Sequence, residues 1–267
     1  KDLSMISTIA GATSLAASVA GAVGVSISLG ASVAFNHITS SVESFISGAD
    51  DRVKTTTGDI GLLADGSATI KAASSAASIS AGFAVGGSVR ISGAGADATN
   101  LILTNTNTYI EDSTIDSKGA VNLETKSNSK IKALIISASF SASIGLAAGI
   151  GASLGVSLAH NWIGYKLNGD RDPNKVQAYL KNSNLDVVGN ISQVATAEQT
   201  IEALVVAGSA AISGGIAGVA VSGSGVIVEN KIATMVRSYI EGTGTETINA
   251  AQVTLTADDQ STITATA

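Results

Sequence analysis

Three features of this 267-residue chain predict an all-β fold, a repetitive parallel β-solenoid (β-helix-like) with tightly packed Gly/Ala/Ser-rich sheets. Small and apolar residues alternate with period two over long stretches, which suits a strand and has no use in a helix. Four landmarks recur in the same order through four copies, the mark of a repeat architecture. The composition also excludes an ordinary core: there are 29 glycines and one proline, aromatics make up 3% and charged residues 13%, against about 25% charged in a typical domain. Sheets lined with Ala, Gly and Ser must pack by close approach of backbones.

The chain reads as a single repetitive array, with units at 6–69, 70–130, 131–200 and 201–262 and the start of a fifth at 263. Each unit opens on an isoleucine: Ile6, Ile70, Ile131, Ile201 and Ile263. An asparagine follows about halfway: Asn36, Asn100, Asn161 and Asn230. Next comes an aromatic-aliphatic pair, Phe45-Ile46, Tyr109-Ile110, Tyr179-Leu180 and Tyr239-Ile240. Last is a β-branched residue shortly before the next start, at Ile60, Val121, Ile191 and Val253. Ile70, Ile131 and Ile201 are expected to be buried and aligned, and the asparagines to form an amide ladder between stacked coils. The aromatic set is expected to form an internal stack.

The half of each unit from isoleucine to asparagine is strand. Even positions from Leu134 to Leu158 are all apolar, while odd positions from Ser137 to Ala159 are Ser, Gly or Ala. The first copy agrees, with Val23, Val25, Ile27 and Leu29 on one face and Gly24, Ser26 and Gly30 on the other. Leu3 to Val42, Ala133 to Tyr165 and Ala203 to Val228 are long enough for membrane helices of about 20 residues, but strict period two argues against helix. The aliphatic face is expected to be buried, with the small face lying close against a second sheet. Twenty-five residues of straight strand would span about 80 Å, so the glycines are expected to supply bends. The unit is also longer than the coils of about twenty residues usual in a β-helix. Either it holds two or three coils, displacing successive copies by about 10–14 Å, or its cross-section is unusually large.

Charge separates the halves. Of the 36 charged residues only Lys71, Arg90, Asp97, Lys132, Glu202 and Glu229 fall between an opening isoleucine and its asparagine. The other halves carry the solvated surface, and the sole proline, Pro173, marks an insertion in the third copy. Alternating Ala/Gly/Ser with Val/Ile, closed by Asn and followed by an aromatic-aliphatic pair, resembles the repeats of giant bacterial surface and secreted proteins. These are the filamentous-haemagglutinin-like and adhesin-like chains, and the resemblance spans essentially the whole sequence. It implies a right-handed parallel β-solenoid at the cell surface. The calcium-binding nonapeptide of some such repeats is absent.

No motif for chemistry stands out. Gly151-Ala-Ser-Leu-Gly155 spells the nucleophile motif of serine hydrolases, but Ser153 lies inside the longest alternation instead of on a strand-to-helix turn. His37 and His160 flank their asparagines on opposite sides and are read as surface or turn residues. Asp170, Asp172 and Asn174 open like a calcium loop, although Lys181 stands where a terminal acid would be needed. That trio is the only metal candidate. No catalytic residue and no cofactor is expected, and the chain is read as a non-enzyme. Without cysteine it can form no disulfide, and its net charge of −6 argues against nucleic acid.

The expected role is a structural repeat of an extracellular or bacterial cell-surface filament, sheath or adhesin stalk, whose partners are further copies or neighbouring repeats of a longer chain. The alternatives are a membrane-inserted barrel or pore and a surface-binding solenoid for ice or carbohydrate. Membrane insertion is not expected, since a barrel needs aromatic girdles and frequent hairpin turns. The opening Lys1-Asp-Leu-Ser-Met5 shows no signal-peptide pattern, and the fifth unit runs only to Ala267. Both suggest a piece of a longer array.

Overall fold

The computed structural model describes residues 1–50 and 53–267. Among the described residues it contains sixteen strands and no helix. In the first coil β1 (Asp2–Ala20) runs outward, the chain turns at Gly21-Ala22, β2 (Val23–Ser47) returns, and β3 (Val53–Thr55) closes the circuit. The second coil repeats this with β4 (Ile60–Ala84), β5 (Gly87–Glu111) and β6 (Thr114–Ser117). The third uses β7 (Val121–Gly145), β8 (Ala148–Ile163), β9 (Asn174–Lys181) and β10 (Asn184–Val187), with the Pro173 insertion separating β8 from β9. The fourth uses β11 (Asn190–Gly214), β12 (Ala217–Ile232), β13 (Thr234–Glu241) and β14 (Ile248–Asn249), after which β15 (Gln252–Asp259) and β16 (Thr262–Thr266) open a fifth.

Every pairing between these strands is parallel, which defines a parallel β-solenoid. The first sheet has the order β1-β4-β7-β11, with β15 and β16 both beside β11. The second stacks β2, β5, β8 with β9, and β12 with β13; the third is short, β3-β6-β10-β14. Two long faces thus meet at a narrow turn on one side and are joined by the short sheet on the other.

The landmarks pair with one another: Ile6, Ile70, Ile131, Ile201 and Ile263 lie side by side, as do Asn36, Asn100, Asn161 and Asn230. Each unit is therefore one coil, and successive copies are one strand spacing apart, about 4.8 Å. Two or three coils per unit is corrected by this register. The physical reason is strand length: β2, β4, β5, β7 and β11 each run 25 residues, so a unit is used up in going round once. The isoleucine-to-asparagine half bends once, at its far turn.

The wide side holds a conventional core. Ile110, Ile115, Val121, Leu123, Leu180, Leu185 and Ile191 are buried there, each removing side-chain surface worth about 1.5–3 kcal/mol. Next to it, Ile70, Ile131 and Ile201 of the first sheet face Ile38, Ile102 and Ile163 of the second. At the corner between second and third sheets the backbone is left-handed in three successive coils, at Gly48 (φ 63°), Asp112 (φ 47°) and Asn182 (φ 47°). Only Gly, Asn and Asp enter that region readily, which explains the choice at each copy.

Toward the narrow turn the arrangement is reversed from expectation. Along β2, Val23, Val25, Ile27, Leu29 and Val33 are exposed, whereas Gly24, Ser26, Ser28, Gly30 and Ser32 are buried. The same holds for β7, where Ser137, Ser139, Ser141 and Ser143 point in and Leu134, Ile136 and Ile144 point out. The expectation that aliphatics fill the interior is corrected for this half. Hydroxyls can bond across a thin gap and glycine lets backbones meet, so the small face closes on itself and leaves the large side chains outside.

Candidate functional site

The blade formed by the narrow half is the most distinctive surface of the molecule. Its interior is a serine zipper between the two long sheets. Ser26 and Ser80 Oγ atoms are 2.9 Å apart, Ser32 and Ser74 2.9 Å, Ser78 and Ser92 2.8 Å, Ser139 and Ser153 2.7 Å, and Ser137 and Ser157 2.9 Å. Several also donate to facing carbonyls, as Ser78 does to Ser28 (2.6 Å) and Ser143 to Ser88 (2.8 Å). A Cβ added at Gly155 would lie 2.5 Å from the Gly208 carbonyl oxygen. The two backbones therefore touch, well inside the ~10 Å usual between packed sheets.

One charge lies within the blade. Arg90 is fully buried, and its guanidinium occupies the space that Gly82 leaves by lacking a side chain. It donates to the carbonyls of Gly24 (2.5 Å), Val89 (2.6 Å) and Ser18 (3.4 Å), while its Nε has no partner. Burial pushes its pKa below the ordinary arginine value, and no carboxylate pairs with it among the described residues.

The asparagine ladder separates blade from wide core. Asn36 Nδ2 donates to Asn100 Oδ1, Asn100 to Asn161 and Asn161 to Asn230, each at 2.8 Å. The outer surface changes character at the same level. On the first sheet Lys130 and Lys132 bind the Glu202 carboxylate from two sides (2.5 and 2.9 Å), and these hydrogen bonds hold its pKa below the usual carboxylate value. Lys71, Lys132 and Glu202 line a shallow groove of about 740 Å³ together with Ser7, Ile9 and Leu134. On the second sheet His160 packs edge-on against Trp162, with ring centroids 5.6 Å apart, and Lys231 Nζ lies 5.0 Å from the Trp162 ring and 5.6 Å from Tyr165.

Ser153 is buried in the zipper, bonded to Ser139, with no histidine among its hydrogen-bond partners. His37 and His160 sit two coils apart on the outer face of the second sheet, beside Leu101 and Thr99 respectively. Of the calcium trio, Asn174 turns inward and bonds Thr104 through both amide atoms, Asp172 faces Lys166 at 3.6 Å and Asp170 receives the Asn168 amide. The three side chains do not converge, and no cluster of three acidic, His or Cys residues that could hold a metal exists among the described residues.

Phe45, Tyr109, Tyr179 and Tyr239 stack with centroids 5.0, 4.9 and 5.0 Å apart and planes within 9°. The stack is on the outer face of the second sheet, with Phe45 53% exposed, so the internal placement is corrected. Outward and inward positions alternate here too, and the aromatics share parity with charged Glu43, Glu111 and Lys181. Sequence reasoning passed over Lys130, Lys231 and Trp162 at the level of the asparagine ladder; their signal is position, one residue to either side of an opening isoleucine or of a landmark asparagine.

Among the described residues no helix is long and apolar enough to cross a membrane. No family model, curated protein or solved structure matches the chain.

Proposed function

We propose that this chain is a structural repeat segment of an extracellular or bacterial cell-surface assembly, a filament, sheath or adhesin stalk, and that it performs no catalysis. The observation that carries this reading is self-stacking: the amide ladder, the aromatic column and the isoleucine rows each place a residue on its own equivalent in the next coil. Such a stack has the same face above and below, so each coil is a template for another. The partners are further coils, from a longer chain or from a second copy. The polar groups of Asp170, Asp172, Asn174 and Ser153 are bonded to neighbouring side chains or backbone, which fits a scaffold. The likeness to filamentous-haemagglutinin-like repeats adds to the same reading.

The test is fibre diffraction and electron microscopy of the purified segment at high concentration. Elongated particles with an axial reflection near 4.8 Å are expected. A stable monomer that never associates end to end would overturn the proposal.

A further inference from the structure

The blade presents apolar side chains on both broad faces and at its turn. On the first sheet Ile9, Leu15, Val19, Leu134 and Ile144 are exposed; on the second, Val23, Ile27, Leu29, Leu154 and Ile227. The turns carry Val85, Leu146 and Ile216, the last 92% exposed. At about 33 Å by 19 Å, each face covers roughly 600 Å², the most that a soluble monomer usually leaves open as one apolar patch, and here there are two faces and an edge. A second copy of the chain could cover one face and would leave the other and the turn in water. A surrounding apolar medium covers all three at once.

We propose that the blade is a membrane fin, inserted into the hydrocarbon of a lipid bilayer with its base at the headgroups. This goes beyond the structural role and rests on it at one point, the axial neighbour that the end coils need in the bilayer.

Four properties support lipid as the occupant. From Ile9 to Val19, interrupted by Thr13, and without interruption from Val23 to Val33, the outward apolar run is ten residue steps, or about 33 Å, against a hydrocarbon thickness of about 30 Å. The backbone inside the blade is paired even at the turn, where Val85, Gly86, Leu146, Ala147, Ile216 and Ala217 donate to carbonyls of the adjacent coil, as hydrocarbon demands. Most of its hydroxyls point inward onto one another, with Thr13 and Ser75 of the first sheet as outward exceptions. Charge complementarity completes the fit: at the base of the first sheet Lys71, Lys130 and Lys132 outnumber Glu202, and on the second Lys231, ion-paired to Glu229, lies over Trp162 and Tyr165. Lysine and aromatic side chains at this level match anionic headgroups and the bilayer interface. Of the six charges in these halves, only Asp97 and Arg90 lie beyond the base: Asp97 faces outward beside Val33, at the base end of the apolar run, and Arg90 is enclosed. The arguments against a barrel do not touch a fin, which closes nothing and turns once. The two end coils have unpaired strand edges and need an axial neighbour in the bilayer.

The protein has no cysteine, so single labels are unambiguous. Leu15→Cys, Ile27→Cys and, on the charged half, Asn122→Cys would each carry an environment-sensitive fluorophore. Each protein would be reconstituted from detergent into vesicles of phosphatidylcholine with phosphatidylglycerol. The two fin labels should be quenched by lipids brominated in their acyl chains and lose quenching by aqueous iodide, while Asn122→Cys stays iodide-accessible. Leu154→Glu, with its strand content checked by circular dichroism, should float with vesicles about tenfold less, because a charge facing lipid near mid-depth is strongly disfavoured. Lys71→Gln with Lys132→Gln should abolish the preference for phosphatidylglycerol over pure phosphatidylcholine. Fin labels that remain open to iodide in vesicles, or that are equally shielded without lipid, overturn the fin. The diffraction test is made without lipid, so failure of axial stacking is distinguishable from failure of insertion.

Discussion

Asn100 shows how much one side chain can hold in this design. Its amide accepts from Asn36 and donates to Asn161, both at 2.8 Å and out of water. Asn100→Ala would leave one donor and one acceptor without partners, each worth about 1–3 kcal/mol. Denaturant unfolding should show a loss on the order of 2–5 kcal/mol. Tyr179 offers a second handle. Burial between Tyr109 and Tyr239, with the Glu111 carboxylate nearby, pushes its pKa from 10 up to about 12. A folded state that keeps a proton which the unfolded state has lost is progressively disfavoured. This contribution is complete below about pH 10 and is lost as pH rises from 10 through 12. Unfolding midpoints across that interval should fall, and Tyr179→Phe should flatten the fall; an unchanged slope in the variant would sink the assignment.

At the scale of the element, the blade depends on backbone contact. Gly155→Leu would drive a branched side chain into the Gly208 carbonyl across the gap. Overpacking of this kind costs about 1–3 kcal/mol where neighbours can shift; here the obstacle is backbone, so the upper end or loss of folding is expected in thermal unfolding. Exposed Leu154→Ala in the same strand should leave stability in detergent nearly unchanged. The strands themselves were legible from alternation, since period two sorts side chains onto two faces. Which face turns inward was not, because period two is blind to it, and hydrophobicity pointed the wrong way. The signal lay in the charges. Lys71, Lys132 and Glu202 share parity with Ile79, Leu134 and Leu204, and Asp97 and Glu229 with Ile91 and Ile227. Five of the six charges thus mark the aliphatic face as the outer one, and only Arg90 is on the small side. The inward turn of Asn174 could not be read at all, because it depends on Thr104 in the neighbouring coil.

For the whole molecule, the width of the coil decides what an array of them can build. Paired strand positions in adjacent coils are 60 to 70 residues apart in sequence, and each circuit advances the stack by only about 4.8 Å. An α-helix gains 1.5 Å of length per residue; this fold gains about 0.07 Å. Its 25-residue strands, meanwhile, reach about 80 Å sideways. An array of about a thousand residues built from such coils would stand only about 70 Å tall at that rise, still shorter than it is broad. Reach is therefore a poor use of this chain, and coverage a good one. Among the structural roles proposed, it suits a tile in a surface coat better than a spar projecting from it.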